Sequence, residues 1–487
     1  MQPFAPVSMD AAAFEQEADF VIVGLGAAGA SAAIEARSKG LDVLVVERAS
    51  GGGGSTSASG GYIYIGGGTD AQKANGFEDT VENMIAFLTC EMPDPPHDKI
   101  RAYCEDSVAH YEWLKAQGVP FNTKYYGGKH YEVPTDETLS YTGGEKAHPH
   151  ITVAKPVPRG HMVAAPGAAG HVLANTLIAA AERAGTRFAY DANVNALVVD
   201  DDGAVVGLRF RRAGREHFVR ARHGVLLATG GFAMDPEMAA EFIPVMARED
   251  VHIVGAPYSN GAGIKLGVGV GAATAHMGAQ LITSPLYPPE GYLKGVLVNK
   301  LGKRFIAEDC YHARTSEAIV NQPDHTAYLI VDTAMYAPPT IGQQQLIDVW
   351  EDFAVMERDL GLPEGSLQET IATYNRDAAE GRDSVMHKHP DWCQPLVEAP
   401  FAAIDCSLGT AVFSGFSLGG LKTDVDARVL DAEGKPIAGL YAAGATASNL
   451  AQGSMSYASG VCLGESTYFG RRSAWAVARA AQAAPAD

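Results

Sequence analysis

Cysteines are few and far apart. Cys90, Cys104, Cys310, Cys393, Cys406 and Cys462 show no C-x-x-C spacing, which argues against a zinc site or a disulfide framework and suits a reducing compartment. Basic residues are also scarce, 37 against 57 acidic ones for a net charge of −20. That balance opposes nucleic acid or anionic membrane surfaces as partners. No apolar run approaches the roughly 18 residues of a membrane span. The first twenty residues carry no Lys or Arg ahead of an apolar core, so no secretory signal is read and a cytoplasmic protein is expected. Histidines do occur in pairs, at His148, His150 and His161 and at His387 and His389. No carboxylates or thiolates gather around them at ligand spacing, so solvated loop histidines and no metal are expected. No internal repeat is visible.

What is abundant is glycine, 54 residues, and its placement is informative. The apolar stretch Phe20-Val21-Ile22-Val23 runs into Gly24-x-Gly26-x-x-Gly29. A helical pattern follows to Gly40, then a second apolar strand, Val43–Val46, closed by Glu47 and Arg48. Gly24 suits a tight turn, Gly26 a close approach of backbone to pyrophosphate, and Gly29 close packing of helix on strand. The helix N-terminus, at Ala27 and Ala28, offers free N–H groups to phosphates. Glu47 stands where a carboxylate accepts from ribose hydroxyls. Strand, turn, helix, strand and acid within about thirty residues specify a dinucleotide site.

The remaining chain is long enough for two or more domains. Residues 1–17 read as a loose arm. The run Ser55-Thr56-Ser57-Ala58-Ser59-Gly60-Gly61 reads as a loop wrapping a large cofactor. Residues 77–117 look helical with a break at Pro93–Pro96, and 121–166 look like a long irregular excursion. A helix over 169–184 leads to strands at 187–199, 203–212 and 215–221, turning at Asp201-Asp202-Gly203. A separate buried strand is expected at Val225–Phe232, and Asn260–Gly263 opens another helix. Residues 281–405 change texture, with helices expected near 341–358 and 365–380, and are taken as an inserted domain. The first fold, 1–280, resumes over 406–487 and ends in a helix from about Ser459.

The ordered set of the GxGxxG unit with Glu47, Ser55–Gly61, Leu227–Phe232, Asn260–Ile264, Gly302-Lys303-Arg304-Phe305 and Leu440–Gly444 resembles the fumarate reductase/succinate dehydrogenase flavoprotein superfamily. The resemblance implies an α/β fold: a Rossmann-like FAD-binding domain with an inserted α+β cap. It implies FAD, held by Gly24, Gly26, Ala27, Ala28, Gly29, Glu47, Arg48, Ser55, Thr56, Ser59, Gly60, Gly61, Val194, Ala228, Thr229, Gly230, Asn260, Gly263, Gly444, Ser459 and Leu463. Residues 48–68 contain no histidine, so a non-covalent flavin is expected. Within the superfamily, Arg304–Tyr311 and Gly453–Gly460 are most similar to 3-ketosteroid dehydrogenases, particularly the Δ4 type. Where fumarate reductases carry a proton-donating arginine and a carboxylate-binding histidine, this chain has His312, with Arg314 two residues on, and Phe416. Aromatics there suit an apolar, uncharged substrate.

Forming a double bond beside a ketone requires a group to hold the carbonyl, a base for the α-proton and a hydride acceptor. The resemblance assigns Tyr457 as base, Ser459 as relay and Tyr311 as the carbonyl-side hydroxyl, with the two tyrosine roles exchangeable. Phe416, Tyr287 and Tyr292 are expected around the substrate, and Gly160-His161 is a weaker candidate. The expected activity is an FAD-dependent 3-ketosteroid dehydrogenase passing electrons to an unidentified acceptor. The alternatives are a Δ1-dehydrogenase, a ketosteroid or enoate reductase, and a non-catalytic flavoprotein.

Overall fold

In the computed structural model, which describes residues 1–483, the main sheet is built from β1 (Val7–Ser8), β2 (Phe14–Val23), β3 (Val43–Val46), β4 (Arg187–Ala189), β5 (Asn193–Val199), β6 (Val205–Arg212), β7 (Arg215–Leu227) and β8 (Pro436–Ala442), with the short strand Arg428–Leu430 paired to β8. The order is β1-β5-β6-β7-β2-β3-β4, with β8 also paired to β7. Its centre is parallel: Phe20–Val23 against Val43–Val46, Val225–Leu227 against Val21–Val23, and Leu440–Ala442 against Val225–Leu227. These runs are apolar without alternation because both sheet faces are covered. Helix α1 (Ala27–Ser38) starts at Gly26 and covers one face, with α2 (Gly170–Arg183) beside it.

Helix α3 (His312–Val320) belongs to a segment whose four strands, Val296–Asn299, Ala327–Val331, Gln345–Trp350 and Phe401–Asp405, pair only among themselves. The strand before it, Gln280–Thr283, pairs instead with Phe413–Ser417. The chain ends in α4 (Val461–Ala483). Helices α1 and α4 approach closely, since a Cβ on Gly470 would lie 2.3 Å from the Ala28 carbonyl oxygen.

Several expectations need correction. The amino-terminal arm is ordered: β1 pairs with β5, and the Phe4 amide donates to Lys265 O at 3.1 Å. Gly269 makes room for it, because a Cβ there would lie 1.8 Å from Phe4 O. The two strands expected at 215–221 and 225–232 are one strand, β7, which pairs antiparallel with β6 and then parallel with β8. Gly224, between the halves, stays within the strand, and a register shift between Ala221 and Gly224 absorbs the change. Within the helix expected over 341–358, Gln345–Trp350 is a strand paired with Phe401–Asp405, and only Phe353–Asp359 is helical, capped by Asp352. Sheet pairing there overrides local propensity. The excursion at 121–166 contributes Tyr125–Tyr126, Leu139–Ser140 and Gly160–Met162 to a small sheet with Tyr62–Tyr64. His150 and His161 are buried rather than solvated. His161 bonds Thr69 at 2.9 Å and does not line the main cavity.

Candidate active site

A cavity of about 500 Å³ runs from the carboxyl ends of β2 and β3 to the start of α4. At its first end Gly24 has φ +99°, and a Cβ there would lie 2.4 Å from Ala228 O. Only glycine fits that turn. A Cβ on Gly29 would meet Gly24 O at 2.0 Å, so this residue serves helix–strand packing and does not face the cavity. Glu47 accepts from Leu25 N at 2.7 Å through one carboxylate oxygen and from Ala49 N at 2.8 Å through the other. Each oxygen keeps a lone pair for a ribose hydroxyl. Thr56 Oγ1 accepts from Ala27 N at 3.0 Å, tying the Ser55–Gly61 loop to the first turn of α1.

Most of the residues assigned to the cofactor line this cavity: Gly24, Gly26, Ala27, Ala28, Glu47, Arg48, Ser55, Thr56, Ser59, Gly60, Gly61, Val194, Ala228, Thr229, Gly230, Gly444, Ser459 and Leu463. Two others support the wall from behind or beside it. The Gly263 amide donates to Thr229 Oγ1 at 3.1 Å. Asn260 lies in a smaller adjoining pocket, where its side-chain oxygen accepts from Arg48 Nη1 at 3.1 Å.

At the other end the wall carries Tyr311, His312, Thr283, Phe416, Tyr457, Ser459 and Cys462. Tyr311 is the residue immediately before α3, and Ser459 lies just before α4. The two hydroxyls are 2.8 Å apart. The serine thus pairs with Tyr311, not with Tyr457 as expected. Gly460, at φ +102°, turns the chain into α4, so that Tyr457 folds over the helix start while Ser459 faces α3. The Cys462 thiol donates to Asn449 Oδ1 at 3.0 Å. Burial raises the hydroxyl pKa of both Tyr311 and Tyr457 well above the ordinary value. Both are therefore protonated at neutral pH.

Phe416 packs edge-on to Tyr457 with ring centroids 6.0 Å apart. His312 lies against Tyr311 at 4.1 Å and bonds Thr283 Oγ1 through Nδ1 at 2.5 Å. Burial, with Lys129 and His130 nearby, pushes its pKa down to about 3, so the ring is neutral. Among the described residues, Arg48 is the one Lys or Arg on the cavity wall, at the Glu47 end. The reacting end therefore holds no fixed cation for a dicarboxylate.

Two expected pocket residues lie elsewhere. Tyr292 is buried just before the strand Val296–Asn299 and donates to Ala337 O at 2.6 Å, with its ring part of the main core. Tyr287 stands behind His312, with the Lys129 ammonium 4.8 Å from its ring centre, and is not on the wall. Thr283 and Cys462 were not foreseen. Thr283 carries no sequence signal, while Cys462 could have been found only by placing the helix start beside Tyr457.

The comparisons accord with this geometry. The FAD binding domain family matches residues 19–460. The chain belongs to this family. Its members bind FAD, and the residues here fit that cofactor: the glycine turn admits no side chain, and the Glu47 carboxylate has free acceptor capacity. A solved 3-ketosteroid-Δ4-(5α)-dehydrogenase from Rhodococcus jostii RHA1, in complex with 4-androstene-3,17-dione, is 40% identical, with a TM-score of 0.91 over 97% of this chain and 99% of that one. A 3-oxo-5-alpha-steroid 4-dehydrogenase of Comamonas testosteroni is 28% identical over 90% of this chain and 94% of its own length. A probable fumarate reductase of Shewanella frigidimarina is 28% identical over 87% of this chain and 69% of its own. This member of the FAD binding domain family is an FAD-dependent oxidoreductase similar to the steroid dehydrogenases. Among the described residues, no helix is long and apolar enough to cross a membrane.

Proposed function

We propose that the chain dehydrogenates a saturated 3-ketosteroid at C4–C5. The observation that carries this reading is the 2.8 Å hydroxyl pair of Tyr311 and Ser459 beside Tyr457, whose ring packs on Phe416. Tyr457, kept protonated by burial, donates to the C3 carbonyl oxygen and steadies the enolate as charge develops. The Ser459–Tyr311 pair takes the α-proton: Tyr311 accepts it as its own proton passes across the 2.8 Å bond to Ser459, whose proton goes to water at the half-buried serine. This exchanges the roles first assigned to the two tyrosines.

Phe416, Leu281 and neutral His312 supply the mostly apolar wall for the ring system. Bound FAD supplies the hydride acceptor at the flavin ring. It is held without a covalent bond, and the six cysteines are free thiols suited to the cytoplasm. The similarity to two enzymes named for 4-dehydrogenation supports the C4–C5 position over C1–C2.

The test is a panel of 5α and 5β saturated 3-ketosteroids with an artificial electron acceptor, analysed for Δ4 and Δ1 products. Δ4 products are expected. Exclusive Δ1 products would move the reaction to the other side of the ketone, and no flavin bleaching with any ketosteroid under anaerobic conditions would remove the steroid reading. Fumarate with reduced viologen should give no comparable turnover.

A further inference from the structure

Ser459 is gripped from a third part of the chain. Its hydroxyl meets Tyr311 at 2.8 Å, while both of its backbone groups go to a single residue of the 121–166 excursion. Ser459 N donates to Thr142 O at 2.9 Å, and Thr142 Oγ1 donates to Ser459 O at 2.9 Å. A carbonyl oxygen only accepts, so the direction of the second bond is fixed. Among the described residues no other protein group donates to Ser459 O. The next residue is seated on the same small sheet: Tyr64 N donates to Gly460 O at 3.1 Å, and a Cβ on Gly460 would lie 2.7 Å from Tyr64 N.

Thr142 itself is buried and does not line the cavity. Its side chain has room because of Gly160, in the strand Gly160–Met162. A Cβ on Gly160 would lie 2.2 Å from Thr142 Cγ2 and 2.4 Å from its Oγ1. Gly160, a weaker candidate for the substrate cavity, therefore lies behind the wall and makes space for the threonine. A serine hydroxyl sits one staggered torsion from the backbone, so the direction of Ser459 Oγ follows the peptide that carries it. A tilt of that peptide opens the link to Tyr311, and a proton crosses between hydroxyls only at hydrogen-bond distance.

We propose that Thr142 is a positioning residue for proton removal: its hydroxyl, by holding Ser459 O, aims the serine hydroxyl at Tyr311. This rests on the reading that the Ser459–Tyr311 pair takes the α-proton. It predicts an order of variants that packing alone reverses. Thr142→Val keeps the shape and loses the hydroxyl, whereas Thr142→Ser keeps the hydroxyl and loses the methyl group. A residue that only fills space tolerates valine and suffers from serine.

The experiment is stopped-flow reduction of the FAD-loaded enzyme by a saturated 3-ketosteroid, with affinity for the 4-ene-3-ketosteroid titrated separately. Thr142→Val should slow flavin reduction roughly three- to tenfold, the scale of one lost hydrogen bond, with flavin content and steroid affinity unchanged. Thr142→Ser should reduce its flavin at close to the parent rate. If the valine variant does not retain FAD, Thr142→Ala, also without a hydroxyl, takes its place. In a Ser459→Ala background the same substitution should cost nothing further, because no serine hydroxyl is left to aim. Valine (or alanine) at the parent rate, serine slower than valine, or an equal loss in the Ser459→Ala background would overturn the proposal. Ser459→Ala alone separates the two levels. If it is slow, the hydroxyl pair stands whatever Thr142 does, while a parental rate removes the pair's role and this proposal with it.

Discussion

The two ends of the cavity are built differently. At the nucleotide end, the turn at Gly24, the helix start at Ala27 and the carboxylate of Glu47 lie within one short stretch of chain, and they are shaped by backbone. At the reacting end, Thr283, Tyr311, Phe416, Tyr457 and Cys462 come from separate elements, and the functional groups are side chains. A backbone site tolerates almost no change at Gly24 and Gly29, where the space for a Cβ is filled by other backbone. A side-chain site tolerates isosteric change in its fold while losing its chemistry.

The sharpest way to break this contrast is at Gly24. Gly24→Ala places a methyl 2.4 Å from Ala228 O in a positive-φ conformation, with strain on the order of 1–3 kcal/mol before the clash is counted. The purified variant should lose most of its flavin and melt at lower temperature. Full flavin occupancy after gel filtration would show that the turn is not the cradle it resembles.

Next in size is the reacting end. Tyr457→Phe keeps the ring against Phe416 and should retain FAD, yet stopped-flow flavin reduction by substrate should fall by a factor on the order of 100 or more. Tyr311→Phe and Ser459→Ala should each slow the same step, and the double variant should be little worse than the weaker single one, since the hydroxyls act as one unit. The pair also sets a pH dependence. Burial holds the Tyr311 pKa above its ordinary value of about 10, so its ionised fraction grows throughout the range from about pH 7 to 10. Flavin reduction should rise with pH across that window, and Tyr311→Phe should flatten the rise. A wild-type profile that falls above neutrality would assign the proton to another group.

The smallest effect belongs to Glu47. Glu47→Ala should weaken FAD binding by about 1–3 kcal/mol through unpaired ribose hydroxyls, measured by flavin retention on dilution. Unchanged retention would place the ribose elsewhere.

The same contrast explains what could be read in advance. The glycine turn and Glu47 announce themselves because their neighbours in space are neighbours in sequence. The 2.8 Å contact of Tyr311 with Ser459 joins residues 148 positions apart, and no spacing rule indicates which of two nearby tyrosines the serine will meet. Tyr292 looked like a pocket residue because tyrosine suits both a core and a binding wall. Its packing and its bond to Ala337 O place it in the core. The strand Gln345–Trp350 was mistaken for helix because its partner, Phe401–Asp405, lies more than fifty residues downstream.

The seam along which Tyr311 meets Ser459 has one further consequence. Tyr311 rides on the segment whose four strands pair only with one another, while Ser459 leads into the terminal helix packed on α1. Arg314, one turn further along α3, spans the same seam and donates to Met455 O at 2.6 Å. Neither contact involves the glycine turn or Glu47. The groups that face the nucleotide and the hydroxyl pair proposed to take the proton are thus set by different contacts of one chain.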